Sequence, residues 1–120
     1  NDTTDIEYLE WILAQGCFLG LDRYPGRLVS PHSRTVTLKR LMDLGYGERL
    51  CPSHDCICLH IHNEQADGSI PPEHDFMRSN PDQYLYMHRH VIPELMAMGA
   101  TDADIHMLFV DNPRRLFEGR

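Results

Sequence analysis

The apolar residues that open the chain recur at helical spacing and predict a helix with one buried face, formed by Ile6, Leu9, Ile12 and Leu13. The segment from Thr4 to Glu7 matches a capping box, in which a hydroxyl and a carboxylate each satisfy a free backbone N–H. Gly16 is of the type that ends a helix at its C′ position. The run Cys17–Leu21 then shows no alternation, which is typical of a strand buried on both faces of a parallel sheet.

The same order of elements repeats after a loop at residues 22–33. A second helix is predicted at Arg34–Leu44, where Gly45 ends it and the inner face consists of Leu38, Leu41 and Met42. A short strand is predicted at Arg49–Ser53, although Pro52 within it cannot donate to a ladder. A long loop follows at residues 56–81, a length that in compact domains usually carries function or disorder.

The last third of the chain is predicted to be helical. A long helix is expected at Asp82–Met98, kinked at Pro93, with Leu85, Val91, Ile92 and Leu95 inward. Thr101 is expected to cap a short helix that carries Ile105, Leu108 and Phe109. Asn112-Pro113 is expected to open a final turn in the N-cap and N1 positions, with Leu116 and Phe117 packed back on the body.

This alternation of helices and strands predicts an α/β fold with parallel strands joined in a right-handed way. Two parallel strands with helices do not make a finished fold, because both edges of the pair stay open. The chain is therefore expected to be part of a larger sheet and to expose apolar faces at Leu19, Leu21 and Leu50.

Composition narrows the class of partner. The chain has 120 residues and a formal net charge of −7, which disfavours nucleic acid and anionic membrane surfaces. No apolar run reaches the length of a spanning helix, and the first residues lack the basic and apolar regions of a signal peptide. Four cysteines without a secretory context are expected to be reduced thiols, which favours a cytoplasmic location.

Charged residues follow both predicted strands. The first strand runs into Asp22-Arg23-Tyr24 and the second ends in Ser53-His54-Asp55. In α/β barrels the active site lies at the carboxyl ends of the strands. Asp55 could thus be a metal ligand, a general base or a helix-capping aspartate, and Arg23 could contact an anion or carbonyl or form a surface ion pair.

These strand ends resemble the seventh and eighth strands of the phosphotriesterase family, within the amidohydrolase superfamily. The opening residues 2–9 resemble the segment after that family's sixth strand, and residues 88–93 and 111–117 resemble its last helices. The resemblance implies that residues 1–120 are the C-terminal part of a (β/α)8 TIM barrel, about strands 7 and 8 with flanking helices, whose upstream part lies outside this chain.

The resemblance also implies a metal-dependent hydrolase with two divalent ions, zinc by expectation, bridged by the hydroxide that attacks the substrate. Of the family's metal ligands only the eighth-strand aspartate maps here, onto Asp55, which would also accept a proton. Asp2 resembles a carboxylate that relays this proton, with a helix N-cap as its alternative role. Arg23 and Tyr24 resemble the substrate-binding residues of the lactonase branch, and Arg23 would orient a substrate oxygen.

Two histidine pairs imitate metal motifs. His60-Ile61-His62 lies in the long loop rather than at the start of a barrel, so it is not expected to bind metal. His88 and His90 point about 200° apart on a helix and cannot chelate one ion together. His54 is expected to point away from the strand end, toward the helices.

The expected substrate is a small ester or lactone, with phosphotriesters as second substrates and a homodimer as a possible assembly. One alternative is a family member that binds ligands without hydrolysing them. Another is that the isolated chain is an inactive fragment, because Asp55 alone cannot hold two metal ions.

Overall fold

The structure is a computed structural model that describes residues 2–26, 28–54, 56, 67–69 and 80–119. Its regular elements are, in chain order, α1 (Ile6–Ala14), β1 (Leu19–Tyr24), α2 (Pro31–Leu41), β2 (Leu50–His54), α3 (Ile92–Ala97), α4 (Asp102–His106) and α5 (Asn112–Glu118). Shorter helical turns connect them at Met42–Tyr46, Gly47–Arg49, Gln83–Leu85, Met87–Val91 and Met107–Asp111.

The β-strands pair in parallel, as predicted, with Leu19 opposite Leu50 and Leu21 opposite Pro52. The register then slips, because Tyr24 lies opposite His54 and β1 therefore holds one residue more than β2 over this stretch. Such a bulge bends the strand and redirects its side chains. Here it places Asp22 and Arg23 both on the exposed side, while Tyr24 returns to the buried side.

Both strands differ slightly from their predicted limits. β1 begins two residues later than predicted and continues through Tyr24, so residues 22–24 belong to the strand and not to the loop. β2 begins at Leu50 and includes Pro52, which is buried. Among the described residues these strands form the whole sheet, so β2 lies at an edge, where proline is tolerated.

Helix α1 confirms the predicted apolar face, since Leu9 and Leu13 are buried and Ile6 and Ile12 pack beside them. The predicted capping box at Thr4 is wrong. Asp5 is the N-cap, and its side chain accepts a hydrogen bond from the Tyr8 backbone N–H. A carboxylate at this position also suits the positive end of the helix dipole.

The core lies between the sheet and the helices. It combines leucines of α1 and α2 with strand residues and with the C-terminal helices, and its members include Leu21, Leu38, Leu41, Leu50, Val91, Leu95 and Leu108. The expected exposure of Leu19, Leu21 and Leu50 is wrong, because the helices of this chain already cover all of them.

The C-terminal helices follow the prediction in outline. The segment predicted as one helix at residues 82–98 consists of three successive helical pieces, and Pro93 lies at the start of α3, directly after the helical turn Met87–Val91. Leu85, Leu116 and Phe117 were predicted to pack inward, but they are 49%, 46% and 88% exposed. Among the described residues, no helix combines the length and the apolar character needed to cross a bilayer.

Candidate functional site

The carboxyl end of β1 carries the candidate site. The bulge at Asp22 and Arg23 sends the Arg23 guanidinium outward, where its Nη1 lies 2.9 Å from Oδ2 of Asp2. Asp2 precedes α1, so this ion pair links the segment before the first helix to the end of the first strand. The predicted alternative role of Asp2 as a helix N-cap is wrong, because Asp5 fills that position.

A second arginine completes this group. Nη2 of Arg34 donates to the other Asp2 oxygen, Oδ1, at 3.0 Å. We call Arg34, Asp2 and Arg23 the Asp2 cluster. Its side chains run from the interior to the surface, since Arg34 is 0%, Asp2 31% and Arg23 56% exposed. One carboxylate thus binds a buried guanidinium with one oxygen and an exposed guanidinium with the other.

Local sequence explains why Arg34 lies inside. Ser30 caps α2 by accepting a hydrogen bond from the Ser33 N–H, and Pro31 occupies the first turn, so the helix begins three residues earlier than predicted. Arg34 then shares a face with Leu38 and Leu41, which the core buries. Its Nε donates to the Val29 carbonyl at 3.1 Å.

The cluster keeps Asp2 ionised. The hydrogen bond from Arg34 is the main cause of the lowered pKa of Asp2, and the nearby charge of Arg23 acts in the same direction. An ionised carboxylate accepts hydrogen bonds only, which matches its position between two donors. The Asp2 cluster therefore places one negative charge between two positive charges.

Tyr24 lies on the opposite side of β1 from Arg23. Its ring is buried in the core, with 1% exposure, and among the described residues its hydroxyl has no hydrogen-bond partner. Burial raises the pKa of the Tyr24 phenol to about 12, an effect that the nearby Thr35 side chain offsets only in part. Its predicted contact with substrate stays a prediction.

The end of β2 is described only as far as His54. The His54 ring is half-buried, its Nε2 lies 2.8 Å from the Tyr84 carbonyl oxygen, and it meets the Tyr84 ring edge-on. His54 therefore joins β2 to the segment that leads into the C-terminal helices. Asp55, the predicted metal ligand, lies outside the described residues, and its role stays a prediction.

Of the two histidine pairs, one lies outside the described residues and one within them. His60 and His62 lie outside the described residues. His90 forms a hydrogen bond with Asp82, with its Nε2 at 2.6 Å from Oδ2, and its ring packs on Tyr86. Asp82 also binds Arg89, and both partners lower the pKa of the Asp82 carboxyl, His90 more strongly.

The described residues do not by themselves fit a divalent metal. No group of three or more His, Cys, Asp or Glu side chains comes together within the part of the chain that the structure describes. The Asp2 carboxylate, beside the end of β1, already has a guanidinium next to each of its oxygens. These two positive charges repel a cation. Metal ligands, such as the proposed Asp55, would therefore lie outside the described residues.

Sequence reasoning identified Asp2 and Arg23 but missed Arg34, which was placed only as the first residue of a helix. A signal was present. Arg34 precedes Leu38 by four residues and Leu41 by seven, so the predicted inner face of that helix already included it. A charged residue on a buried face needs a partner of opposite charge, and Asp2 fills that need.

A β-α-β unit that gathers charged side chains at the carboxyl end of a strand is typical of α/β enzymes. Comparison with known proteins gives the family. The profile of the Phosphotriesterase family matches residues 1–117. This chain belongs to the phosphotriesterase family.

Several relatives support the assignment. The chain is 36% identical to the "Phosphotriesterase homology protein" of Mycobacterium tuberculosis over 98% of its own length and 34% of the relative. It is 31% identical to the "Aryldialkylphosphatase" of Saccharolobus solfataricus, over 98% of the chain and 36% of that protein. The chain thus spans about a third of these relatives, which is consistent with a C-terminal segment.

Solved structures agree in shape. The phosphotriesterase of Mycobacterium tuberculosis superposes with a TM-score of 0.81 at 36% identity, over 98% of this chain and 34% of that structure. The organophosphorus hydrolase of Deinococcus radiodurans gives a TM-score of 0.80 at 28% identity, over 96% of this chain and 34% of that structure. The parallel β1–β2 pair and its helices therefore form a recurring unit of the family.

Proposed function

We propose that residues 1–120 form about strands 7 and 8, with flanking helices, of a (β/α)8 barrel in a metal-dependent hydrolase. The complete protein hydrolyses lactones, with phosphotriesters as second substrates. Family membership and the names of the relatives support the hydrolase class. The observation that carries the substrate part is the Asp2 cluster, which holds Arg23 at the carboxyl end of β1.

Arg23 is the residue that meets the substrate in this proposal. Its guanidinium stays charged at any physiological pH and presents donors in a plane, so it suits a carbonyl or phosphoryl oxygen. Ring opening of a lactone places negative charge on such an oxygen, and a fixed cation stabilises that charge more in the transition state than in the ground state. More than half of the Arg23 side chain is exposed, so a ligand can reach it.

Metal dependence belongs to the complete protein. Divalent ions, zinc by expectation, would activate the attacking water and polarise the substrate oxygen. Asp55 is the one ligand that this chain is proposed to supply. Asp2 is proposed as a carboxylate that relays the proton away from that site, and Tyr24 as a residue that binds substrate.

The test is substrate preference in the complete protein. Arg23→His replaces a permanent cation with a titratable group. We expect kcat/KM for a lactone to fall roughly 10-fold or more, while kcat/KM for an aryl phosphotriester holds or rises. Arg40→His, an exposed arginine on α2, is the matched control and should change neither value.

The outcomes separate the alternatives. An unchanged ratio of the two kcat/KM values in Arg23→His would make Arg23 a surface ion-pair residue. Tight binding of a lactone by the wild type without any turnover would favour the ligand-binding alternative instead of a hydrolase.

A further inference from the structure

Arg34 is the one charged residue that is completely buried among the described residues. The proposed function gives it no role, yet a guanidinium without water is tolerated only when its donors are satisfied by fixed partners. Two of these partners are the Val29 carbonyl oxygen at 3.1 Å and the Asp2 carboxylate at 3.0 Å.

These two contacts fix the orientation of the Arg34 guanidinium. The guanidinium is planar and its donors diverge at set angles, so anchoring Nε on Val29 determines where Nη2 meets Asp2. With Oδ1 of Asp2 engaged by Arg34, Oδ2 faces Arg23 at 2.9 Å. The orientation of the exposed Arg23 side chain therefore depends on the buried Arg34 side chain.

Without this support Arg23 would be poorly held. An ion pair between exposed side chains contributes little, because ordering two long side chains in water offsets most of the attraction. Asp2 is different because its own position is set from the interior. Gly26, shortly after β1, packs closely against this arrangement: a Cβ there would lie 2.3 Å from Nη2 of Arg34 and 2.4 Å from the Arg23 carbonyl oxygen. The positive φ of +66° at Gly26 also favours glycine.

We propose that Arg34 is a positioning residue for substrate recognition, which fixes the direction of the Arg23 guanidinium through Asp2. The inference rests on the proposed role of Arg23 and extends it to a residue that touches no substrate. A guanidinium already aimed at the substrate oxygen loses less conformational entropy on binding, so Arg34 contributes to binding and turnover from inside the core.

The experiment is a double-mutant cycle in the complete protein. Arg34→Met keeps an unbranched apolar stem and removes the guanidinium with its charge, and it is combined with Arg23→Ala. Against wild-type Arg23 we expect Arg34→Met to lower kcat/KM for the lactone roughly 10-fold, whereas in the Arg23→Ala background the further loss should stay below about 2-fold. Equal factors in both backgrounds would mean a general structural role and would overturn the proposal.

Conservative replacement gives a second readout. Arg34→Lys retains the charge but not the planar fork, so we expect an intermediate loss of kcat/KM. Arg40→Met, on the exposed side of the same helix, is the matched control and should behave as the wild type. If Arg34→Met does not fold, the cycle is run with Arg34→Lys, and failure of both variants to fold would assign Arg34 to folding and overturn the proposal.

A crystal structure of the folded Arg34 variant separates this inference from the proposed function. We expect the Asp2 carboxylate to turn and the 2.9 Å contact between Arg23 and Asp2 to be lost. If the wild type hydrolyses neither substrate, the proposed function fails and the crystal structure alone decides whether Arg34 positions Arg23. An unchanged Arg23–Asp2 contact in the variant would contradict the inference.

Discussion

Individual side chains in this protein owe their environment to the bulge in β1. Regular alternation would have placed Asp22 and Arg23 on opposite sides of the strand. The extra residue leaves both exposed, directs Arg23 to Asp2 and returns Tyr24 to the core. The sequence predicted that Arg23 lies at a strand end, but a bulge depends on the register of two strands, which one strand's pattern does not reveal.

The buried phenol of Tyr24 predicts a dependence of stability on alkaline pH. The folded protein retains the Tyr24 proton up to a pKa of about 12, while the unfolded chain releases it near the ordinary tyrosine pKa of 10.0. The unfolded state therefore gains stability as pH rises between these values, and folding loses roughly 3 kcal/mol across that window.

The measurement is the free energy of unfolding of the complete protein in urea from pH 9 to pH 12. Other tyrosines and lysines titrate in the same range, so Tyr24→Phe is the reference. We expect the wild type to lose about 3 kcal/mol more than Tyr24→Phe over the window. Parallel curves for the two proteins would show that the Tyr24 phenol is not buried in this way.

The type of each secondary-structure element was easier to predict than the residues at which it begins and ends. The periodicity of α1 and α2 and the unbroken apolar run of β1 indicated the right type of structure, because burial imposes those patterns. The predicted limits of the elements were less accurate. Helix α2 begins at Pro31 with Ser30 as its N-cap, and Asp5 instead of Thr4 is the N-cap of α1. Phe117 was predicted to be buried from its apolar character, but its surroundings depend on contacts far along the chain.

The attachment of α5 to β2 depends on one buried amide. The Asn112 side chain is fully buried, and its Nδ2 donates to the carbonyl oxygens of Gly47 at 2.7 Å and Leu50 at 2.8 Å. Asn112→Ala removes both hydrogen bonds, and the Gly47 carbonyl oxygen keeps only the bond that it accepts from the Leu50 backbone N–H. We expect the free energy of unfolding to fall by about 2 to 3 kcal/mol, measured by urea denaturation of the complete protein.

Two further variants serve as comparisons for Asn112→Ala. Asn112→Asp keeps the size of the side chain but replaces its donor with a carboxylate, so it should destabilise the protein at least as much as Asn112→Ala. Phe117→Ser, at an exposed position of the same helix, should change the free energy of unfolding by less than about 0.5 kcal/mol. If Asn112→Ala matched Phe117→Ser, the two hydrogen bonds would have no part in joining α5 to β2.

The described part of the chain has a core of its own but not a closed sheet. Its helices cover the strand leucines, which corrects the expectation that these residues are exposed. Even so, the two described strands leave an open edge on each side, and large apolar side chains such as Trp11 and Leu28 are 62% and 80% exposed. The parallel fold class followed from the order of elements, whereas coverage of the core depends on packing that no local pattern records.

An isolated chain of these 120 residues should therefore behave differently from the complete protein. Open strand edges pair with other copies, and exposed apolar residues promote association. We expect the isolated chain to be aggregated, domain-swapped or molten by size-exclusion chromatography with light scattering and by thermal unfolding. A monodisperse monomer with a sharp cooperative transition would contradict the proposal that it is part of a barrel.

Asp55 is proposed to be the metal ligand that this chain supplies to a hydrolase of the phosphotriesterase family. The most direct measurement is the metal content of the complete protein, wild type against Asp55→Asn, with kcat/KM for the lactone measured on the same samples. Loss of a carboxylate ligand should leave folding intact, reduce bound metal and lower activity mainly through kcat. Equal metal content and equal kcat in the two proteins would contradict the claim.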